Sequence, residues 1–129
     1  MPHVFLNGGA MRGGPLHYLL DGAPLVASTT TAARYRFYSV GDRCPALAPV
    51  AHGGTAVSGE VYDVPMDVLR DRLLPAEPPE LELGVVELAD GSSAFAMLLR
   101  RPPTSYPTLT DITEFQSWTA YRTRKKEAA

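Results

Sequence analysis

The stretch His3-Val4-Phe5-Leu6-Asn7-Gly8-Gly9-Ala10-Met11-Arg12-Gly13-Gly14-Pro15-Leu16-His17-Tyr18-Leu19-Leu20 decides how this chain is read. Its opening residues are apolar and β-prone. A loop with four glycines follows, at Gly8, Gly9, Gly13 and Gly14. Pro15 then stands where a helix begins, because a missing N–H costs nothing at the first helical position. A strand, a glycine-rich loop and a helix start in that order have a physical consequence. Glycines reach positive φ and let a ligand approach the main chain. Unpaired N–H groups in the loop and at the helix start then make an anion-binding concavity. The same glycines also fit a tight turn that binds nothing, and the local sequence does not separate the two. No Lys-Ser/Thr pair follows the loop, and the glycine spacing does not fit G-x-G-x-x-G. Both facts argue against a nucleotide site.

Working outward, 129 residues make one domain with room for a real core. Hydrophobic content of 45% and charged content of 20% are ordinary for a globular protein. A net charge of −2 argues against nucleic-acid binding. No apolar run approaches the roughly 20 residues of a membrane span, so no membrane association is expected. No basic-then-apolar leader opens the chain. The single cysteine, Cys44, permits no internal disulfide and fits a reducing compartment, so a cytoplasmic location is expected. Nothing beside Cys44 in sequence activates it as a nucleophile. His3, His17 and His52 are scattered without metal-ligand spacing. No cofactor or metal is expected, and there is no G-x-S-x-G elbow.

Residues 24–40 are β-branched and aromatic and read as two strands or one bent strand. Residues 41–49 contain two prolines and read as a loop. His52-Gly53-Gly54 is a turn. Residues 56–64 alternate as a strand, with Val57, Gly59 and Val61 on one face and Glu60 and Tyr62 on the other. Asp63 is placed to cap a short helix whose apolar stripe is Val68, Leu69, Leu73 and Leu74. Residues 75–80 are too rich in proline for regular structure. Residues 81–88 and 92–99 flank Ala89-Asp90-Gly91, a strong hairpin signal. Residues 100–110 read as a proline-rich surface run. Asp111 and Glu114 form a capping-box variant that opens a C-terminal helix with Ile112, Phe115, Trp118 and Tyr121 on one face. Residues 122–129 read as a basic tail following the single domain 1–121. About six strands with short helices make an α+β domain with a mixed, barrel-like sheet. There is no internal repeat.

Five blocks in order resemble the C-terminal domain of allophanate hydrolases. Residues 9–17, Gly-Ala-Met-Arg-Gly-Gly-Pro-Leu-His, resemble its G-A-H-L-x-G-x-P-L-N opening. Residues 31–38 resemble T-A-x-x-Y-R-L-Y, and residues 60–65 resemble E-V-W-x-L-P. Residues 84–91 resemble G-x-V-x-L-x-D-G, and residues 111–121 resemble D-I-T-x-F-x-x-W-x-A-Y. More distantly, the arrangement is similar to the γ-glutamylcyclotransferase superfamily.

The resemblance implies a small mixed six-stranded β-barrel with short flanking helices. It also implies a pocket for a small anionic carboxy compound, lined by Asn7, Gly8, Gly9, Ala10, Met11, Pro15, Leu16 and Tyr38. In allophanate hydrolases this domain is associated with decarboxylating the N-carboxycarbamate that the amidase domain releases. No amidase domain fits in this chain. Three departures from the pattern stand out. Met11 replaces the loop histidine and cannot move a proton. His17 replaces an asparagine and can. Glu82 stands where glycine is usual. His17, Glu82 and Glu60 are therefore the candidate acid/base residues. Three functions follow as expectations: an enzyme acting on a carboxylated amine or carbamate, a γ-glutamylamine cyclotransferase, or a binding module. The last would form a homodimer or dock a partner enzyme through the Trp118 helix.

Overall fold

The computed structural model describes residues 2–128. Its strands are β1 His3–Leu6, β2 Leu25–Thr30, β3 Tyr35–Val40, β4 Cys44–Pro49, β5 Ser58–Asp63, β6 Leu81–Glu87, β7 Ser93–Leu99 and β8 Leu109–Asp111. Helix α1, Met66–Val68, runs on as a π turn, Leu69–Leu73, and a 3-10 turn, Leu74–Ala76. Helix α2 is Trp118–Ala128. No helix among the described residues is long and apolar enough to cross a membrane.

The eight strands form one sheet in the order β2-β5-β1-β7-β4-β3-β8, with β6 on the other side of β7. The hairpin β6–β7 is paired from Leu81↔Leu99 to Glu87↔Ser93. Its turn uses Gly91 at φ 88° and the Asp90 carboxylate, which accepts from the Ser92 N–H at 2.9 Å. β1 lies between β5, antiparallel, and β7, parallel. Side chains alternate across it. Phe5 enters one core with Phe37, Leu47, Val57 and Ile112. Val4 and Leu6 enter a second with Tyr62, Val64, Leu69 and Leu73, which α1 and its continuation close.

β6 holds one edge of β7 along its length, so β1 at Phe95 and β4 at Leu98 share the other edge. One strand edge cannot serve two neighbours over the same residues. β1 and β4 therefore diverge, and the gap between them opens into the cavity described below.

The expected six-stranded barrel is corrected to one sheet of eight strands. The sheet is curled and open; among the described residues, the edges of β2 and β6 meet at a Thr31↔Leu88 bridge, with Ala32 N–H to Glu87 C=O at 2.9 Å and Ala89 N–H to Thr30 C=O at 3.0 Å. Residues 44–49, expected in a loop, form β4 despite Pro45 and Pro49. Alternate residues direct their N–H to the same side. The Val50 N–H donates to Arg34 beside β3, so even-numbered residues serve that neighbour. The two prolines face the β7 side, where β4 pairs only at Leu47 and no donor is missed. The helix expected at Pro15 is a single 3-10 turn, His17–Leu20, ended by Asp21 at φ 54° and Gly22 at φ 79°. Asp63 does not cap α1, because its carboxylate is held by His3 Nε2 at 2.9 Å. Asp111 caps only a 3-10 turn, Thr113–Phe115, through the Thr113 N–H. Gln116 at φ 57° ends that turn, and α2 restarts behind Ser117, whose Oγ accepts from the Ala120 N–H at 3.2 Å. Residues 122–128 of the expected basic tail continue helix α2, and residue 129 lies outside the described residues.

Thr31 is fully buried at the bridge. Its hydroxyl accepts from the Val57 N–H at 3.0 Å and donates to the Ala32 carbonyl at 2.8 Å. Thr31→Val keeps the shape but strands a buried donor. It is expected to cost about 1–3 kcal/mol in urea unfolding, with the m-value unchanged.

Candidate functional site

Residues 7–16 leave β1 and fold back on themselves. Met11 N–H donates to Gly8 C=O at 3.1 Å, Gly14 N–H to Met11 C=O at 2.9 Å and Leu16 N–H to Gly9 C=O at 2.9 Å. A Cβ at Gly14 would stand 2.1 Å from the Gly9 oxygen, so this crossing requires glycine. The N–H groups of Gly9 and Ala10 are spent on no hydrogen bond among the described residues.

The loop is pinned from behind. Glu60 Oε1 accepts from the Arg12 backbone N–H and from the Tyr62 hydroxyl, each at 2.9 Å, and Oε2 meets Arg12 Nε at 3.1 Å. Burial opposes the charge on Glu60, but these donors hold its carboxyl below the usual range. Burial first, and then Glu60, push the Tyr62 hydroxyl up to about 12. His17 Nδ1 lies 3.0 Å from the Ala10 carbonyl, so the proton sits on Nδ1 in that contact. Its ring meets Tyr62 edge-on, with centroids 5.7 Å apart.

In front of the loop lies a cavity of about 430 Å³. Asn7, Gly8, Gly9, Ala10, Pro15 and Leu16 form its loop side. Asp42, Arg43, Cys44 and Pro45 at the start of β4 face them. Ala76, Glu77 and Pro78, following the α1 segment, and Trp118 and Arg122 of α2 complete the wall. The Asn7 side-chain nitrogen is buried with no partner among the described residues. Glu77 is partly buried, and desolvation pushes its carboxyl up to about 7. Burial pushes the Cys44 thiol up to about 11, leaving it protonated and unreactive near neutral pH. Arg43 is paired with Glu80 at 2.8 Å.

Asp42, in the left-handed region at φ 59°, fastens α2 to this wall. Its Oδ1 accepts from the Tyr121 hydroxyl at 2.5 Å and from Ser39 Oγ at 2.8 Å. Its Oδ2 meets Lys125 Nζ at 3.2 Å, and its backbone carbonyl accepts from Arg122 Nη1 at 2.9 Å. The Tyr121 hydrogen bond and then that of Ser39 draw the Asp42 carboxyl down to about 2.

The residues singled out in the sequence thus divide. Six of the eight expected binding residues line the cavity. Met11 turns away into the second core, and Tyr38 lies on β3 outside the lining. Glu82 lies outside as well. Strand alternation sends Leu81 into the cavity and its neighbour Glu82 to the other face. Glu60 and His17 brace the loop rather than line the space before it. Sequence reasoning missed Glu77, hidden in a proline-rich connector, and Arg122, read as tail. A glutamate three residues beyond the apolar stripe that ends at Leu74 was the one available signal for the former. Among the described residues, no group of three or more His, Cys, Asp or Glu is placed to hold a metal ion.

Residues 2–123 match the family model of the allophanate hydrolase C-terminal domain. No curated protein sequence matches significantly. A solved uropathogenic E. coli-specific protein is 34% identical, with 95% of each chain covered and a TM-score of 0.86. The Kluyveromyces lactis allophanate hydrolase is 27% identical over 96% of this chain, at a TM-score of 0.86. That match spans only 21% of the yeast enzyme. An AIG2-like protein of Mus musculus shares the fold at 22% identity and a TM-score of 0.64, covering 86% of this chain and 85% of its own. Fold and family together are those of a small-molecule enzyme-like or binding module. The chain belongs to the allophanate hydrolase C-terminal domain family.

Proposed function

We propose that the protein is an acid–base enzyme acting on a small carboxylated amine or carbamate. The observation that carries this reading is Glu77: a carboxyl with a pKa of about 7 lining the same cavity as loop residues with unspent N–H groups. A general acid works best with a pKa near the operating pH. The Gly9 and Ala10 N–H groups and the Asn7 amide supply donors for the substrate carboxylate. In loss of CO₂ from an N-carboxylated amine, protonated Glu77 delivers its proton to nitrogen. The C–N bond breaks, CO₂ leaves, and Glu77 regains a proton from water. The half-enclosed cavity favours that step by limiting water.

A second reading, γ-glutamylamine cyclotransfer, draws on the same Glu77 carboxyl, whose pKa of about 7 lets it take up and release a proton near neutral pH. There the substrate's α-amine attacks the γ-carbonyl, and Glu77 takes a proton from that amine and gives it to the departing amine. His17 would hold the loop in either case.

The test has two parts. Backbone NMR with added acetate is expected to shift the Gly9 and Ala10 amides. Incubation with an N-carboxylated amine and with a γ-glutamylamine then reads CO₂ and 5-oxoproline release. Acceleration of one and not the other selects the reaction. Amide shifts without turnover would mark a binding module. Unmoved loop amides and no acceleration would overturn the proposal.

A further inference from the structure

Among the cavity groups unused by the reaction just described, Arg122 has donors to spare. Arg122 is half-buried in the cavity wall. Only Nη1 of its guanidinium has a hydrogen-bond partner among the described residues, and that partner is the neutral Asp42 carbonyl. The Asp42 carboxylate, on the residue whose carbonyl holds Arg122, is committed to Tyr121, Ser39 and Lys125. Arg43, the other cavity arginine, already has Glu80. Arg122 therefore faces the cavity without an ion-pair partner among the described residues.

Its position is nevertheless held. The guanidinium carbon stands 5.7 Å from the centroid of the Trp118 ring, one helical turn away, and the Asp42 carbonyl fixes one end of the fork. A guanidinium held this way, with donors left over, is preorganised for a planar anion. It stands on α2, whereas the loop donors stand at the end of β1, so the two lie on different walls of one cavity. Two anion sites on separate walls suit a ligand charged at both ends.

We infer that Arg122 binds a second anionic group, so that the preferred substrate carries a carboxylate or phosphate on its far end as well as the carboxylate held by the loop. This rests on the loop reading above and adds to it. Arg122 is a specificity residue here. It touches the distal charge and takes no part in proton transfer.

The experiment measures binding of glutarate and of its monomethyl ester to the full chain by isothermal titration. Each is tested against wild type, Arg122→Gln, Arg122→Lys and Arg124→Gln. Arg124 is exposed on the same helix and controls for charge alone. Wild type is expected to prefer the dianion by about tenfold or more, the range of a bidentate charge-assisted pair. Arg122→Gln should lose that preference while keeping its affinity for the monoester, and Arg122→Lys should retain part of it. Arg124→Gln should behave as wild type. Thermal melts of each variant establish that it is folded. Equal affinity for both ligands in wild type, or an undiminished preference in folded Arg122→Gln, overturns the inference and leaves the loop reading standing. Binding of neither ligand overturns both.

Discussion

Glu77→Gln is expected to be more stable than the natural chain at pH 8, equally stable at pH 4, and nearly inactive at both. The Glu77 carboxyl has an ordinary value of 4.5, and burial raises it in the folded protein to about 7. Below pH 4.5 the group is protonated whether folded or not, and it contributes no penalty. Between the two values the unfolded chain releases the proton and the folded chain keeps it, so stability falls as pH rises. Above pH 7 the full cost stands. A shift of this size corresponds to up to about 3 kcal/mol. Glutamine has nearly the same shape and never ionises, so the variant escapes that penalty. The same substitution removes the proton carrier, which is expected to slow turnover by about 10²–10⁴-fold. Urea unfolding of both proteins at pH 4, 6 and 8, with rates on whichever substrate the assay selects, reads both effects. Parallel pH profiles of stability would show that Glu77 titrates normally and would remove it from the proton-transfer role. The combination of lost activity and gained stability marks a group kept for its chemistry rather than its packing.

Gly14→Ala carries the second large effect. The added Cβ would stand 2.1 Å from the Gly9 oxygen, 2.7 Å from the Gly9 carbonyl carbon and 3.0 Å from the Met11 oxygen. All three are backbone atoms, so no side-chain rotation relieves the contact. The loop must open, breaking the Leu16-to-Gly9 and Gly14-to-Met11 hydrogen bonds. The expected cost is about 2–4 kcal/mol, together with loss of carboxylate binding. Gly9→Ala is the control. Its Cβ meets Pro15 and Leu16 at 3.7–3.8 Å, which is ordinary contact, so the melting temperature should move little. If Gly14→Ala melts with the natural protein and binds as well, the loop does not have the tight crossing described here.

Much of this architecture is written locally. The β6–β7 hairpin follows from an Asp-Gly turn between two β-prone runs, and the structure places its strands within one residue of the expected limits. The position of the glycine loop after β1 was likewise legible, because a backbone approach as close as that of Gly14 to Gly9 leaves no room for a Cβ. The expected strand at 56–64 appears as β5, with Val61 in the first core and Tyr62 in the second, as period-2 alternation requires.

Other features had no local signal. The prolines of β4 look like loop residues until it is known that the edge they face meets β7 only at Leu47. Glu77 lies in a connector, and nothing about its neighbours in sequence reveals that it shares a cavity with β1 and β4. Glu82, expected to be catalytic, is one residue from a cavity-lining leucine, and a shift of one residue in a strand reverses the face. His17 and Glu60 were singled out for their chemistry, yet their partners turn them into braces for the loop. The basic residues after Tyr121 read as solvated tail because the helix that carries them is fastened by Asp42, about eighty residues earlier.

By itself, then, the sequence determined the α+β class, the hairpin, the glycine loop and the resemblance that the family match later supported. Those rest on periodicity, turn conformation and residue type, which act over a few neighbouring residues. The tertiary structure alone decided that the sheet stays open, that β1 and β4 part to leave a cavity, and that Glu77 and Arg122 stand in its wall. Desolvation and ion pairing depend on what distant segments bring together, and no local stretch carries that information.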